Sequence, residues 1–347
     1  MEQKIQEGVI GSILNLYGFD ESFGEQKEYI NYDGKDDDGI IQIILSVVLE
    51  SGKEIVIKIL HEGDDLLSER NKIEKQSAFS EFLRLHGIKT PIRYTANGKY
   101  CNEYMYNDLM CNVTVEDWCG NEIAEINTEI SYKIGKLMAR MHILSLENQC
   151  EIGCGTLFSA AYWNDVDSFS DFCEIGENEN LNQEIIKEIK KLHDEKLEAI
   201  RAVWDKLPKA AVQGDISINN LVYGEDELIV FDYNNAGDEV LVSDLVMEGL
   251  LTAYEMDIPN GTDKCIRKEF FPAFLSGYLS VRKLSEEEAS TAWLIYTLYN
   301  ALWFSRIVYN EDSLEKLVQK EDYASANLLL GQILTDMTEQ NDGRFIK

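Results

Sequence analysis

The stretch at residues 211–233 constrains the chain most, because it arranges three metal-competent side chains around one short hairpin. Asp215 and Asn220 stand five residues apart, an apolar segment and the acidic turn 224–227 follow, and Asp232 ends the apolar run 228–231. This order predicts a loop, a strand, a turn, a returning strand and a second loop, with the polar side chains at one end. A hairpin whose Asp and Asn residues only cap turns is the alternative interpretation.

Phosphoryl transfer from a magnesium nucleotide requires such a set of side chains. One carboxylate orients the attacking hydroxyl or accepts its proton, while an amide oxygen and a second carboxylate bind the metal on the phosphates. We therefore interpret the segment as a candidate catalytic region.

The length and the order of patterns predict an α+β chain with two lobes. The chain has 347 residues, too many for one small core. Residues 1–20 have the spacing of a short helix, and β-branched segments predict strands at 25–32, 40–49, 54–60, 100–106 and 112–116. A turn or loop at 33–39 and a helix at 66–86, ended by Gly87, complete a β-rich lobe at 1–118. Residues 119–347 form the larger, mainly helical lobe, with helices that include 127–146 and 178–206.

Composition excludes several classes of protein. The net charge of −31 has the wrong sign for a partner of nucleic acid. No apolar run approaches the ~20 residues that a membrane span needs, and the N-terminus lacks the order of a signal peptide. Seven cysteines without a C-x-x-C pair indicate reduced thiols. We expect a cytoplasmic protein that binds neither nucleic acid nor membrane, and we leave its oligomeric state open.

Lys58 lies within the apolar strand 54–60, where an unpaired cation would be costly if the strand is buried. An exposed lysine at a sheet edge is the ordinary interpretation, whereas a buried one is suited to nucleotide phosphates. An acid on the following helix would normally hold it, and three positions compete for that role: Glu69, Glu74 and Gln76. On a helical wheel Glu69 and Gln76 share the inward face, and the sequence leaves the partner open.

Together these segments resemble the aminoglycoside phosphotransferases and their choline-kinase-like and homoserine-kinase-like relatives. The catalytic loop of that family usually reads His-Gly-Asp-x-x-x-x-Asn, and its metal segment resembles Ile-Asp-Phe-Asp-Asp-Ala-Gly, compared with Phe-Asp-Tyr-Asn-Asn-Ala-Gly at 231–237 here. Residues 135–142 look like the family helix Gly-x-x-x-Ala-x-x-His, residues 115–120 like its hinge, and residues 85–91 like a connection in its small lobe. The similarity covers about residues 25–245 and implies a protein-kinase-like two-lobed fold.

The resemblance also implies roles for individual residues. Asp215 would be the catalytic base or the residue that orients the hydroxyl, and Asn220 and Asp232 would bind Mg²⁺. Lys58 would contact the α- and β-phosphates of ATP or GTP. Backbone groups near two hinge residues, Glu116 and Trp118, would bind the base. Asp244 matches a structural aspartate, and His142 is expected to be a packed helix residue.

Three positions depart from the family pattern. Gln213 replaces the usual histidine before the catalytic aspartate, Asn234 replaces a frequent second aspartate, and Gln76 stands where the helix acid is expected. We expect activity to survive the change at 213. The change at 234 predicts a weaker second metal site, and the change at 76 leaves the clamp on Lys58 unexplained.

The sequence therefore predicts a magnesium-dependent kinase that phosphorylates a hydroxyl of a small molecule. The acid excess favours a cationic, aminoglycoside-like antibiotic as the acceptor. Metabolite kinases of the choline, homoserine or sugar type and a non-catalytic binding protein are the alternatives. Five acids downstream of the metal segment could line a cleft for a cation: Asp238, Glu239, Glu248, Glu255 and Asp257.

Overall fold

A five-stranded antiparallel sheet organises the N-terminal part of the chain, and helices make up most of the rest. The structure is a computed structural model, which describes residues 5, 7–33, 40–61, 65–123, 126–160, 168–216, 218–224, 227–254 and 263–346. The chain divides into two compact units. The first unit is Met1–Ile123 with Asn219–Asn234, and the second is Ala124–Ile218 with Asn235–Lys347. The domain boundary predicted after residue 118 stays a prediction.

The elements follow the chain in an order that confirms the predicted α+β class. The β-rich part contains α1 (Glu7–Leu16), β1 (Phe23–Asp33), β2 (Ile41–Leu49), β3 (Glu54–His61), α2 (Leu66–Leu85), β4 (Asn102–Tyr106) and β5 (Leu109–Asp117). The later part contains α3 (Thr128–Glu147), α4 (Phe169–Ile175), α5 (Gln183–Val203), β6 (Lys209–Val212), β7 (Leu221–Gly224), β8 (Glu227–Val230), β9 (Gly237–Val240), α6 (Leu241–Tyr254), α7 (Asp263–Leu279), α8 (Glu286–Ala301), α9 (Leu314–Gln319) and α10 (Tyr323–Met337). The loop predicted at 33–39 lies almost wholly outside the described residues.

The side chains of β3 alternate between the hydrophobic core of the first unit and a second buried face. The strands run in the order β1-β2-β3-β5-β4. Ile55, Ile57 and Ile59 are fully buried in the core that α1 also lines. Because successive side chains of a strand point to opposite faces, Lys58 lies on the other side of the sheet. Its neighbours across the ladder are Ile44 of β2 and Thr114 of β5.

The predicted hairpin forms β7 and β8 and belongs to the first unit. Leu221 pairs with Val230, and the Phe231 amide donates to the Asn220 carbonyl at 3.0 Å just beyond the paired strands. Asn220, directly before β7, and Asp232, shortly after β8, therefore lie at the same open end of the hairpin, as predicted for these two of the three polar residues. The turn residues 225 and 226 lie outside the described residues.

A buried polar chain crosses the second unit. His142 of α3 contacts Asp244 Oδ2 of α6 through Nε2 at 2.9 Å and the Tyr278 hydroxyl of α7 through Nδ1 at 2.8 Å. Arg282 donates to Tyr278 and pairs with Glu288, which also caps α8. Burial lowers the pKa of His142. The network confirms His142 as a packed helix residue and gives Asp244 a structural role.

Two further features concern the helices and the cysteines. No helix within the described ranges is long and apolar enough to cross a membrane. The described cysteines are free thiols: Cys101, Cys111, Cys119, Cys150, Cys154 and Cys173.

Two glycines let α3 and α7 approach each other with their backbones nearly in contact. A Cβ atom on Gly135 would lie 1.9 Å from the carbonyl oxygen of Phe274. A Cβ atom on Gly277 would lie 1.9 Å from the carbonyl oxygen of Tyr132. Because backbone on both sides closes the space, only glycine fits at either position. This close crossing explains the glycine that opens the 135–142 motif.

We expect Gly135→Ala and Gly277→Ala each to lower the free energy of unfolding by about 3 kcal/mol, since neither helix can yield without repacking. Urea denaturation measures the change. Gly331→Ala in α10 is the matched control, because a Cβ there meets no atom within 4 Å. That control should raise stability by up to about 1 kcal/mol through helix propensity. Equal effects at the three positions would contradict the close crossing.

Candidate active site

Lys58 is a buried cation held by two carboxylates of the first unit. Its Nζ lies 3.2 Å from Asp232 Oδ1 and 3.5 Å from Glu116 Oε1, and the residue is only 5% exposed. Burial alone would lower the pKa of Lys58, but the negative charges of Asp232 and Glu116 raise it above its ordinary value. The ammonium group therefore stays charged away from bulk water, which is the state that phosphate binding needs.

Glu116 divides its two oxygens between two cations. Oε1 faces Lys58, and Oε2 lies 3.0 Å from Nε of Arg93. Arg93 also donates from Nη1 to the Ser77 hydroxyl of α2 at 2.7 Å. Sequence reasoning assigned only backbone groups to residue 116 and did not single out Arg93. An arginine inside the apolar stretch 91–94 is the signal that could have indicated a buried cation.

Two of the three helix residues proposed as partners of Lys58, Glu74 and Gln76, have other contacts; the contact of Lys58 with Glu116 shows that a strand residue takes the role for which Glu69 was also considered. Glu74 accepts the Cys101 amide at 2.6 Å, and Gln76 donates from Nε2 to the Asn234 carbonyl at 2.6 Å. Gln76 is 1% exposed. The carboxylate that approaches Lys58 from within its own sheet is thus that of Glu116, on the neighbouring strand β5.

Asn220 and Asp232 offer oxygen donors of the kind that Mg²⁺ prefers. Asp232 has φ +52°, a conformation uncommon outside glycine, and its Oδ1 accepts the Asn234 amide at 3.3 Å. Burial would raise the pKa of Asp232, but the nearby charges of Lys58 and Arg93 lower it, so the carboxylate is ionised. One carboxylate and one amide fit a Mg²⁺ ion whose other ligands are phosphates and water. Among the described residues, no group of three or more His, Cys, Asp or Glu side chains could hold a metal ion by itself.

Trp118 directly follows β5, where its indole ring stacks on another aromatic ring and its backbone amide forms a hydrogen bond within the sheet. The indole stacks on Tyr29 with ring centroids 5.3 Å apart, and the backbone N–H donates to the Glu54 carbonyl at 3.0 Å. The Trp118 N–H, one of the backbone groups considered for binding a base, is therefore already engaged within the sheet.

Asp215 lies in the second unit, in the loop that follows β6, and polar side chains hold it from two sides. The Asp215 amide donates to Gln213 Oε1 at 2.8 Å, and Asn235 Nδ2 donates to Asp215 Oδ2 at 3.0 Å. Gln213 thus supports the loop backbone by accepting this hydrogen bond, and the survival of activity with glutamine at this position stays a prediction. Asn235 was not singled out from the sequence, and its place three residues after Asp232 was the available signal.

The backbone around Asp215 is fixed as well. Gly214 has φ +75°, and a Cβ there would lie 2.7 Å from the Asn235 carbonyl oxygen. The Ile216 amide donates to Oε2 of Glu248, a glutamate of α6 that is 1% exposed, at 2.6 Å. A loop tied in this way keeps the Asp215 carboxylate in one orientation.

Internal hydrogen bonds occupy three of the five acids that we considered for a cation cleft. Asp238 accepts the amides of Ile152 and Gly153, Glu248 accepts Ile216, and Glu239 accepts Val240 and the Thr156 hydroxyl. Glu255 and Asp257 lie outside the described residues. The structure thus gives the first three acids contacts that stabilise loops.

Glu239 makes stability depend on pH, because burial raises its pKa from 4.5 to about 7. The folded state holds this proton more tightly than the unfolded chain, so the contribution to stability is complete below pH 4.5 and is lost as pH rises to about 7. We expect Glu239→Gln to gain stability over the wild type across this range, by up to about 3 kcal/mol. Denaturant titrations at both ends measure this gain, and a difference independent of pH would contradict the assignment.

Comparison with solved structures identifies the fold. An amicoumacin kinase in complex with AMP-PNP and Ca²⁺ superposes with a TM-score of 0.60 at 15% identity, over 95% of this chain and 93% of that one. A microcompartment-associated aminopropanol kinase gives 0.62 at 14% identity, over 96% and 99%. An aminoglycoside phosphotransferase from Alicyclobacillus acidocaldarius gives 0.55 at 11% identity, over 97% of each chain.

The resemblance drawn from the motifs is thereby confirmed at the level of the fold, which is protein-kinase-like. At these identities the similarity establishes the fold alone. The sequence matches no protein-family model, and no curated protein matches it significantly.

Proposed function

We propose that the protein is a magnesium-dependent kinase that transfers the γ-phosphate of ATP or GTP to a hydroxyl of a small molecule. The observation that carries the proposal is the contact of Lys58 with Asp232 at 3.2 Å. It joins a buried cation suited to phosphates with a carboxylate suited to a metal on those phosphates. The structural neighbours include small-molecule kinases on the same fold, which supports the proposal.

In the first unit, Lys58 would offset charge on the α- and β-phosphates of the donor. Asn220 and Asp232 would hold Mg²⁺, which when bound neutralises charge on the transferred phosphoryl group. Hinge groups at Glu116 and Trp118 other than the bonded Trp118 N–H would receive the base. The Trp118 indole would stack on it through the face turned away from Tyr29.

In the second unit, Asp215 would orient the acceptor hydroxyl and accept its proton as the phosphoryl group is transferred. The Asn235 amide donates to Oδ2 and helps to fix the orientation of the carboxylate that would act on the hydroxyl. Holding the carboxylate before the acceptor binds removes an entropic cost from the reaction. Gln213 and Glu248 act through the backbone and position the loop.

The finer proposal is a cationic acceptor, such as an amine-bearing antibiotic or metabolite. The net charge of −31 attracts cations and supports this class. A metabolite kinase is the second candidate, because three of the acids considered for the cleft already hold loops together.

We expect the protein to produce ADP or GDP in the presence of Mg²⁺ and one acceptor from a panel of aminoglycosides, choline, homoserine, amino alcohols and sugars. Asp215→Asn should lower kcat by about 10²–10⁴-fold, because the hydroxyl loses its proton acceptor. Nucleotide affinity should stay within about threefold, since this loop makes no donor contact in the mechanism. Equal turnover by wild type and variant for every acceptor would reject the kinase proposal.

Asp232→Asn should raise the Mg²⁺ concentration needed for half-maximal activity and lower kcat/KM by about 100-fold, because the metal loses its charged protein ligand. Metal titrations of both proteins provide the measurement. Glu227→Gln is the matched control in the same hairpin, where the exposed carboxylate pairs with Lys89. Its metal dependence should match the wild type, and a similar shift in both variants would argue against Asp232 as the ligand.

A further inference from the structure

Four ionic side chains of the first unit form what we call the buried ion cluster: Lys58, Arg93, Glu116 and Asp232. Lys58, Arg93 and Glu116 are each less than 10% exposed, whereas the side chain of Asp232 is 28% exposed. Lys58 contacts both carboxylates, and Arg93 contacts Glu116. Two positive and two negative charges balance, which is the condition under which such groups tolerate burial.

Metal binding would change this balance at one position only. Under the proposed function, Asp232 would give its charge to Mg²⁺ and could no longer compensate Lys58 to the same extent. Glu116 carries no proposed metal contact and lies on the ladder of β5, opposite Val56 of β3. The contact between Glu116 and Lys58 is therefore the one that can persist when the donor binds.

Arg93 fixes the orientation of the Glu116 carboxylate. Its Nε lies 3.0 Å from Glu116 Oε2, which leaves Oε1 directed at Lys58. Nη1 is anchored on the Ser77 hydroxyl, and the guanidinium lies 5.9 Å from the centre of the Tyr233 ring. Backbone bridging between Arg93 and Glu116 holds the two residues side by side.

Helix α2 makes a different contribution in this chain. Gln76, at the position expected for an acid, is neutral and cannot compensate the charge of Lys58. Its amide donates to the Asn234 carbonyl, two residues after Asp232. Through this contact the helix supports the backbone of the metal segment.

We propose that Glu116, oriented by Arg93, is the residue that positions Lys58 for the phosphates of the donor nucleotide. This inference rests on the proposed function and adds a positioning residue to it. In this chain the lysine is fixed from within its own sheet, and the position of α2 is coupled to the metal segment.

The test compares ligands with and without phosphates on the full-length protein. Binding of ADP, GDP, adenosine and guanosine is measured by ligand-observed NMR for wild type and Glu116→Gln. We expect the variant to weaken binding of the preferred diphosphate by at least about tenfold and to change binding of its nucleoside by less than about twofold. A general loss of structure would weaken both ligands together.

Glu103→Gln is the matched control. Glu103 lies on β4 of the same sheet and pairs with Arg70 of α2, but its side chain is 58% exposed. We expect its diphosphate affinity to equal that of the wild type. An equal loss in both variants would overturn the inference, because any missing ion pair of the sheet would then have the same effect.

A double-mutant cycle separates action through Lys58 from an independent effect. If Glu116 acts through Lys58, Glu116→Gln should change diphosphate binding little in a Lys58→Ala background. Additive losses would overturn the proposal. The conservative variant Glu116→Asp keeps the negative charge, so it should bind the diphosphate more tightly than Glu116→Gln does.

Glu116→Gln leaves two buried cations with one carboxylate, so folding is followed by thermal denaturation. If the single variant does not fold, Arg93→Gln/Glu116→Gln restores the charge balance and is compared with Arg93→Gln alone. The double variant must then show the selective loss of diphosphate binding beyond that of Arg93→Gln; the same affinity in both overturns the inference. A wild type that binds neither diphosphate would overturn the proposed function instead, whereas normal binding by Glu116→Gln would overturn this inference alone.

Discussion

The first unit depends on keeping the charge of Lys58 inside a β-sheet. Its strand is buried on both faces, so the ammonium needs compensation from carboxylates within reach. Glu116 supplies one from the adjacent strand and Asp232 another from the segment after the hairpin. The sheet, the hairpin and the connection that carries Arg93 must all be formed before these charges balance. The proposed phosphate site is thus also a condition for the stability of this unit.

The second unit achieves precision by different means. The loop with Asp215 is short, and its orientation comes from the side chains of Gln213, Asn235 and Glu248. Gly135 and Gly277 allow α3 and α7 to pack closely, and the hydrogen bonds of His142 connect these two helices with α6. A catalytic carboxylate needs this support, because small displacements cost much of its effect on a reaction.

Much of this architecture could be predicted because the signals are local. Apolar, β-branched segments located β2 and β3, the glycine at 87 marked the end of α2, and helical spacing located α3. Turn residues located the hairpin of β7 and β8. The pairing of β6 with β9 was not predicted, since both strands are short and lie apart in the sequence. The partner of Lys58 also escaped prediction, because a helical wheel compares positions within one helix and cannot rank them against a neighbouring strand.

The sequence by itself determined the residue types of the proposed phosphoryl-transfer site, their order, and the elements that carry them. It also indicated the fold, since hydrophobic period and turn chemistry are properties of short segments. Only the tertiary structure decided how charges are paired. In it, Glu116 forms ion pairs with Lys58 and Arg93. Gln76 donates a hydrogen bond to the Asn234 carbonyl, and Asn235 donates one to Asp215. These contacts join residues far apart in the chain, and their partners follow from strand register and side-chain direction, which no local pattern encodes.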